Sequence, residues 1–489
     1  MPGCGRPRRG SRASKSASDP ARSAARRSAG GRGGVLKINP NIFREYDIRG
    51  LADEELTDEV ALAVARAYGT LMQREGRRRI ALGRDVRDSS PRLCAAFTKG
   101  LTGCGLTVVD LGIVPTPVLY YGIVKLDADG GVQITGSHNP IAYNGFKLCR
   151  GTSSVWGDEI RKLHEMIRAE DFEAGEGGRE SHEILSDYVD MVVSKTKPAR
   201  PLKVVIDAGN GTGGLTAPEI FRALGHELTT LYCEPDGRFP NHQPDPTVEA
   251  YMEDLKAKVL EARADVGIGY DGDADRIGAV DERGRMVWGD QLLALYARDV
   301  LTRRTGAKII FDVKCSQGLE EDIRAHGGVP IMWKTGHSLT KAKMREEEAP
   351  VAGEMSGHMF FAEDFFGYDD AVYASARLAA LLSRQDRSLS ELVDSLPSYL
   401  SSPEIRVECS DDDKFRIVKE VAEDFGRDHE VITIDGGRVM FGDGWGLIRA
   451  SNTQPVLVLR FEARTPERLD EIRRAFRVRL DRYPQVKWD

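Results

Sequence analysis

Asp271, Asp273 and Asp275 stand at i, i+2 and i+4 in Asp271-Gly272-Asp273-Ala274-Asp275-Arg276, about 130 residues after a serine set between glycine and histidine in Thr135-Gly136-Ser137-His138-Asn139-Pro140. A lone serine hydroxyl is a poor nucleophile, and three neighbouring carboxylates repel one another. Both features make sense together if a divalent cation neutralises the carboxylates and a phosphate sits on the serine. Gly136 would let a ligand approach the backbone, and Lys147, in Tyr143-Asn144-Gly145-Phe146-Lys147, would bring a cation to that phosphate. Arg276 stays charged and would steady a phosphate or a carboxylate.

Each feature also has an ordinary reading. Ser137 suits an ST-turn or a cap. The acidic run fits positions one, three and five of an EF-hand loop, with Glu282 at twelve. Arg276, however, takes the place of its required glycine, and the flanks 264–270 and 277–280 read as strands. A solvated acidic turn fits poorly between two apolar strands. A hard-cation site holding Mg²⁺ beside a phosphate is expected. Gly353-Glu354-Met355-Ser356-Gly357-His358 offers a carboxylate, a hydroxyl and an imidazole for sugar hydroxyls. Arg449-Ala450-Ser451-Asn452-Thr453-Gln454-Pro455, followed by Arg460, offers an anion cradle. Structural turns are the bland readings of both. Gly209, Gly211 and Gly214 match a GxGxxG pattern after an apolar strand, with Glu234 about 20 residues on, so a nicotinamide-dependent dehydrogenase competes. It leaves the serine and the three aspartates without a role.

The chain has 489 residues, 41% hydrophobic and 30% charged, which suits several globular domains. It lacks an apolar run of about 18 residues, so no membrane association is expected. Seven scattered cysteines without a CxxC pair fit a reducing compartment, and a cytoplasmic location is expected. Residues 1–34 hold nine Lys/Arg and one acid, hence +8, which leaves −15 for the remainder of a chain of net charge −7. An acidic body argues against nucleic-acid binding. The Arg/Ser/Ala/Gly-rich stretch has too few apolar residues to bury a core. A transit peptide, a basic nucleic-acid-binding arm and a solvated extension compete there. The extension is expected, because no apolar helical face is present.

Short apolar runs alternating with helical patterns position these residues. Thr57 to Arg74 reads as a helix capped by Thr57, with Gly76 past its end. A second helix is expected with Ser90 as N-cap and Pro91 at its first position, and a strand over Leu106 to Leu111. Arg79–Asp85, Lys203–Asp207 and Lys308–Asp312 share one form: a basic-led apolar strand ending in Asp before a helix. Their spacing predicts three related α/β domains. Helix, three short strands and helix (Lys414 to Arg427, Val431 to Phe461, Pro466 to Leu480) predict a C-terminal α+β domain. The expected limits are 35–182, 183–285, 286–397 and 398–489.

From about Asn41 to its end the chain resembles the bacterial phosphomannomutase/phosphoglucomutase family of the α-D-phosphohexomutase superfamily. The resemblance rests on Phe43-Arg44-Glu45-Tyr46-Asp47-Ile48-Arg49-Gly50, the Ser137 and Asp271 loops, Thr335-Gly336-His337-Ser338, and the Glu354 and Arg449 loops, all in family order. It implies three α/β domains and a C-terminal one around a central cleft. Ser137 would carry a phosphoryl group, and Mg²⁺ would be held by Asp271, Asp273, Asp275 and the phosphoserine. The phosphoryl group would pass to a hexose 1- or 6-phosphate through glucose 1,6-bisphosphate or mannose 1,6-bisphosphate. Lys147 and His337 would serve as acid/base groups, with Arg276 stabilising charge. Tyr46, Arg49, Lys314, Gly336 and His358 would line the cleft, Glu354 and Ser356 would grip sugar hydroxyls, and Arg449, Ser451, Asn452 and Thr453 the distal phosphate. Sugar phosphates are the partners implied, and a monomer the implied state. Met355 points away from the phosphoglucosamine mutase branch, which is the alternative within the superfamily. A non-catalytic sugar-phosphate-binding protein would be expected to lose Ser137 or an aspartate.

Overall fold

A computed structural model describes residues 37–451 and 454–487. The basic stretch 1–34 therefore lies outside the described residues, as do Asn452 and Thr453. The repeat faintly legible in sequence is a repeat of sheet plan. In the first α/β domain, strand Arg79–Arg84 runs parallel to Thr107–Ile113 on one side and Gly130–Ile134 on the other; Gly130–Ile134 then pairs antiparallel with Tyr143–Arg150. Lys203–Asp207, between Glu227–Leu231 and Val266–Tyr270, with Ile277–Asp281 antiparallel, repeats the plan. So does Lys308–Asp312, between Val329–Trp333 and Val351–Gly353, with Met359–Phe361 antiparallel. These central strands are apolar along nearly their whole length because helices cover both sheet faces.

The plan decides where chemistry can sit. In each copy the hairpin joining the third strand to its antiparallel partner leaves the carboxyl end of the parallel sheet, where ligands bind in open α/β sheets. Those three hairpins carry Ser137, the Asp271–Asp275 run and Glu354. The aspartate ending the central strand braces the neighbouring hairpin in two copies. Asp85 accepts the Gly136 N–H at 2.9 Å, and Asp312 accepts the Met355 N–H at 3.0 Å. In the second copy Asp207 accepts from Gly209 N and lies 3.0 Å from His242 Nε2 instead.

Local expectations shift at several points. Helix Asp58–Arg74 is capped by Thr57, whose side chain accepts from Val60 N. The next helix, Ser90–Gly103, has Ser89 rather than Ser90 at its N-cap position, since the Ser90 hydroxyl donates to Asp85. The strand read over Leu106 to Leu111 runs Thr107–Ile113. The C-terminal domain holds four strands between its helices, not three: Glu430–Ile432, Gly437–Met440, Gly444–Ala450 and Val456–Ala463. Tight turns at Gly436 and Gly442, both at positive φ, divide what reads as longer runs. Leu400–Ser401 and Ile405–Glu408 complete a six-stranded sheet.

One apolar core runs through all three α/β domains, from Ala81 through Val204 and Phe311 to Leu392. The C-terminal domain has its own core, from Val407 to Leu480. It joins the third domain through an apolar cluster of Val313 with Trp445 and Leu447 and through polar ties: Arg438 donates to Val313 O at 2.9 Å and Cys315 O at 2.7 Å, and Gln317 N donates to Glu462 at 2.8 Å. Among the described residues no helix is long and apolar enough to cross a membrane.

Asp370 caps helix Ala371–Ser383 by accepting from Tyr373 N, and both its oxygens accept from Tyr188 of helix Leu185–Lys195. Burial, only partly opposed by those bonds, pushes this carboxyl up to about 7. The unfolded chain releases the proton near pH 4. Stability from this group is therefore greatest at low pH and is lost as pH rises from about 4 to 7. Asp370→Asn keeps the cap and cannot ionise. Its stability relative to wild type should be more favourable at pH 8 than at pH 5, measured by urea unfolding; equal offsets at both pH values would count against this account.

Candidate active site

The three hairpins and the Arg449 loop open onto one cleft of about 1160 Å³. Its lining includes Tyr46, Arg49, Ser137, Lys147, Asp275, Arg276, Lys314, Gly336, His337, Glu354, Ser356, His358, Arg449 and Ser451. These are the residues read from sequence, apart from Asp271 and Asp273, which lie fully buried beneath, and the two positions outside the described residues.

Ser137 takes a left-handed backbone conformation, φ +49°, which costs a non-glycine residue about 1–3 kcal/mol and needs firm support. Arg87 supplies much of it. Only 1% exposed, it donates to Ser137 O at 2.9 Å, Asn139 O, Pro140 O and Tyr143 O. Gln243, from the second domain, donates to His138 O at 2.9 Å and Asn139 O at 2.7 Å. The carbonyls from Ser137 to Pro140 are thus all engaged. Gly136 has a different purpose from the one expected: a Cβ there would fall 2.3 Å from Arg87 Nε, so the glycine admits the guanidinium rather than a ligand. The serine hydroxyl donates to Asp271 Oδ2 at 2.7 Å and lies 3.0 Å from His138 Nδ1. Burial, with Arg276 and Arg49 nearby, lowers the His138 pKa well below the usual histidine value, so this ring is neutral at pH 7.

The three aspartates are completely buried, and their ligand atoms lie within 4.8 Å of one another. Burial, then Asp275 and Asp273, pushes Asp271 well above the usual carboxylate range. Asp273 Oδ1 and Asp275 Oδ1 are buried without a hydrogen-bond partner. Mutual repulsion, orphaned oxygens and an all-oxygen donor set fit a hard divalent cation. Positive charge already gathers there. Lys147 Nζ lies 2.7 Å from Asp273 Oδ2 and also contacts Asp275. Burial lowers its pKa, but the three aspartates overcome this and leave it raised, so Lys147 keeps its proton. Its ammonium thus rests on the carboxylates.

Gly336, at φ +136°, starts helix His337–Glu347; a Cβ there would strike the Tyr46 ring at 2.5 Å. Tyr46 donates to Thr335 O at 2.7 Å, and Arg49 is held by Asp47 at 2.6 Å and Asn139 at 3.1 Å. Glu354 accepts from Thr340 and Ser356 at 3.0 and 3.2 Å, and burial raises its pKa. His358 lines the cleft with both ring nitrogens close to protein: Nε2 accepts from Arg276 Nε at 3.1 Å, and Nδ1 faces Asp275 O at 3.1 Å. Arg449 is paired with Asp435 at 3.0 Å, and Asp435 also accepts Thr335 N. Arg460 lines the same cleft and also ties domains, donating to Lys314 O and lying 3.6 Å from Asp290.

The competing glycine loop is filled by protein. A Cβ on Gly211 would meet Gly272 O at 2.6 Å, and one on Gly214 would meet Cys233 O at 2.0 Å. The loop supports the triple-Asp hairpin, Thr212 N donating to Gly272 O at 3.0 Å, and leaves no room for a pyrophosphate. Sequence reasoning misses Arg87, Gln243, Asp369 and Thr116, which donates to Asp273. Only Arg87 leaves a trace, two residues after the repeated strand-ending aspartate.

Hydroxyl, acid triad and ring of cations define a class: a site built for a phosphate group beside a hard cation. The chain belongs to the phosphoglucomutase/phosphomannomutase family. Models of that family match it at residues 40–174 (alpha/beta/alpha domain I), 186–284 (domain II), 288–399 (domain III) and 404–478 (C-terminal domain). It is 47% identical to a phosphomannomutase/phosphoglucomutase of Pseudomonas aeruginosa over 442 residues, 90% of this chain and 95% of that one. It is 44% identical to a phosphoglucomutase of Neisseria gonorrhoeae, covering 93% of this chain and all of that one. A crystal structure of a family member from Burkholderia thailandensis superposes with TM-score 0.87 at 42% identity, covering 92% and 99% of the two chains.

Arg87→Lys removes the fork that spans four carbonyls and leaves the charge. It should lower kcat about 100-fold, as a misplaced reacting group does, with KM for a sugar phosphate changed less than about 3-fold. Steady-state kinetics with circular dichroism to verify folding checks this; an unchanged kcat would dismiss the role given to Arg87.

Proposed function

We propose that this chain reversibly converts mannose 1-phosphate and glucose 1-phosphate to their 6-phosphates, through a phosphoserine at Ser137 and a hexose 1,6-bisphosphate. The observation that carries this reading is the single cleft in which Ser137 faces both the Glu354 hairpin and the Arg449 loop. Four domains, with limits at 35–182, 183–285, 286–397 and 398–489, each contribute one wall.

Asp271, Asp273, Asp275 and the phosphoserine would hold Mg²⁺, which when bound neutralises phosphoryl charge. The chain's own residues do the rest. The sugar hydroxyl attacks phosphorus as the bond from phosphorus to Ser137 Oγ breaks; the hydroxyl proton passes to a base, and Lys147, which holds its proton, acts as the acid that restores the Ser137 hydroxyl. His337 suits that base: burial and the nearby Lys341 lower its pKa well below the usual value, so it is unprotonated at pH 7. Lys147 and Arg276 supply positive charge where the phosphoryl group moves. Arg449 and Ser451, with Asn452 and Thr453, grip the distal phosphate, and Glu354 and Ser356 the sugar O3 and O4. The bisphosphate then turns over and returns its other phosphate to Ser137.

Two binding orientations require recognition of what both share: one phosphate and the equatorial O3 and O4 hydroxyls. The configuration at C2 goes largely unread, so both sugars are substrates. With Mg²⁺ and a trace of glucose 1,6-bisphosphate, the chain should convert both 1-phosphates with kcat/KM within about tenfold. Ser137→Ala, or removal of metal with EDTA, should abolish turnover of both. Conversion of glucosamine 1-phosphate alone would move the protein to the amino-sugar branch, and no turnover of any would refute the reading.

A further inference from the structure

The three buried aspartates differ in how their oxygens are occupied. Both oxygens of Asp271 are engaged: Oδ1 accepts from Asp275 N at 3.0 Å and Arg276 N at 3.1 Å, and Oδ2 from the Ser137 hydroxyl at 2.7 Å. Asp275 gives Oδ2 to Lys147, and its Oδ1 has no hydrogen-bond partner among the described residues. Asp273 Oδ1 is bare in the same way, while its Oδ2 accepts from Lys147 Nζ at 2.7 Å and from the Thr116 hydroxyl. A carboxylate held by one oxygen with the other left over is what a cation ligand requires, and the holding partner decides where the free oxygen sits.

The two donors to Asp273 Oδ2 are not equivalent. Lys147 is a charge on a flexible four-carbon stem, and it is shared between Asp273 and Asp275. An ammonium also competes with a divalent cation for carboxylate oxygens, and it has to leave them to give its proton to the serine oxygen. Thr116 is bound by neither constraint. It is fully buried at the start of helix Thr116–Lys125, directly after Pro115, in a run that stays buried as far as Ile123. It meets Asp273 twice, its N–H donating to Asp273 O at 2.9 Å and its hydroxyl to Oδ2. A β-branched side chain on a fixed backbone has few rotamers to wander into.

We propose that Thr116 is a positioning residue of the metal centre: its hydroxyl fixes the Asp273 carboxylate so that Oδ1 stays free for the cation wherever the Lys147 ammonium sits. This rests on the reading of the acid triad as a divalent-cation site. A purely structural alternative is that Thr116 only docks its helix on the second domain's hairpin. The hydroxyl then contributes stability and leaves cation binding alone.

The test uses the full-length protein, stripped of metal, as wild type, Thr116→Val and Thr116→Ser. Valine keeps the shape of threonine without the hydroxyl, and serine keeps the hydroxyl. Mn²⁺ serves as the probe, since it suits the same oxygen ligands as Mg²⁺. Its dissociation constant is read from the electron paramagnetic resonance signal of the free ion, without sugar phosphate, and the melting temperature is recorded without metal. We expect Thr116→Val to weaken Mn²⁺ binding about 10- to 100-fold, the scale for losing a partner of a ligating carboxylate, and Thr116→Ser to stay within about 3-fold of wild type. Should valine prevent folding, Thr116→Ala carries the same expectation. A lowered melting temperature with Mn²⁺ affinity within about 3-fold of wild type would leave Thr116 with docking alone and overturn the proposal. Wild type that binds no Mn²⁺ would refute the cation reading of the triad and this proposal with it. Wild type that binds Mn²⁺ but turns over no hexose phosphate would refute the mutase reading, and the Thr116→Val dissociation constant would still decide what Thr116 does.

Discussion

Three carboxylates buried away from bulk solvent set the terms for the rest of this molecule. Their repulsion has to be answered by charges from elsewhere in the chain. Lys147 and Thr116 come from the first domain, and Arg276 from the hairpin itself, where two of its neighbouring N–H groups also turn inward to Asp271. The serine hydroxyl joins them from the first domain. Electrostatics at one point thus fixes the mutual placement of the first two domains, and the cleft follows from that placement. Removing any one charge would leave its partners buried and unpaired, which costs far more than the pair contributes when intact.

A second layer of contacts works on backbone rather than charge. Arg87 and Gln243 grip the outward carbonyls of the Ser137 hairpin from two domains. Gly272 packs against Ser137 O, where a Cβ would sit at 2.6 Å, and Gly211 packs against Gly272. The Ser137 hairpin, the acid triad and the supporting loop are therefore stacked chain on chain, with glycines where backbones touch. Such a stack tolerates little movement, and an unusual backbone conformation at Ser137 persists within it because its surroundings determine it several times over.

Much of this is legible in the sequence, and the boundary has a physical form. Ser137 and the three aspartates stand out because their residue types are costly without a ligand, and a cost of that kind shows in a single short window. The sheet repeat shows because a strand buried on both faces has to be apolar throughout. What escapes depends on distant partners. Gly136 reads as room for a ligand and is room for Arg87; a glycine alone does not say what approaches it. His358 reads as a sugar contact, yet both its nitrogens are taken by residues 82 and 83 positions away. Asp369 lies in a loop rich in acids and aromatics and looks like its neighbours until Lys341, His337 and His358 are folded around it. In the C-terminal domain tight turns hide the fourth strand, and the dehydrogenase-like glycine pattern imitates an opening because its spacing also suits chain-on-chain packing.

The three hairpins occupy one equivalent place in three copies of one sheet plan, yet their equipment differs, with a hydroxyl on the first, a set of acids on the second and a single buried carboxylate on the third. Duplication of a domain whose loop already projected at the carboxyl edge of its sheet would provide three variable segments around a shared frame. The buried strands beneath carry the folding information, but the hairpins touch one another, Ser137 at Asp271 and His358 at Asp275, so a change in one is felt by the next. Descendants of such an ancestor are then bound to alter neighbouring hairpins in concert wherever one touches the next.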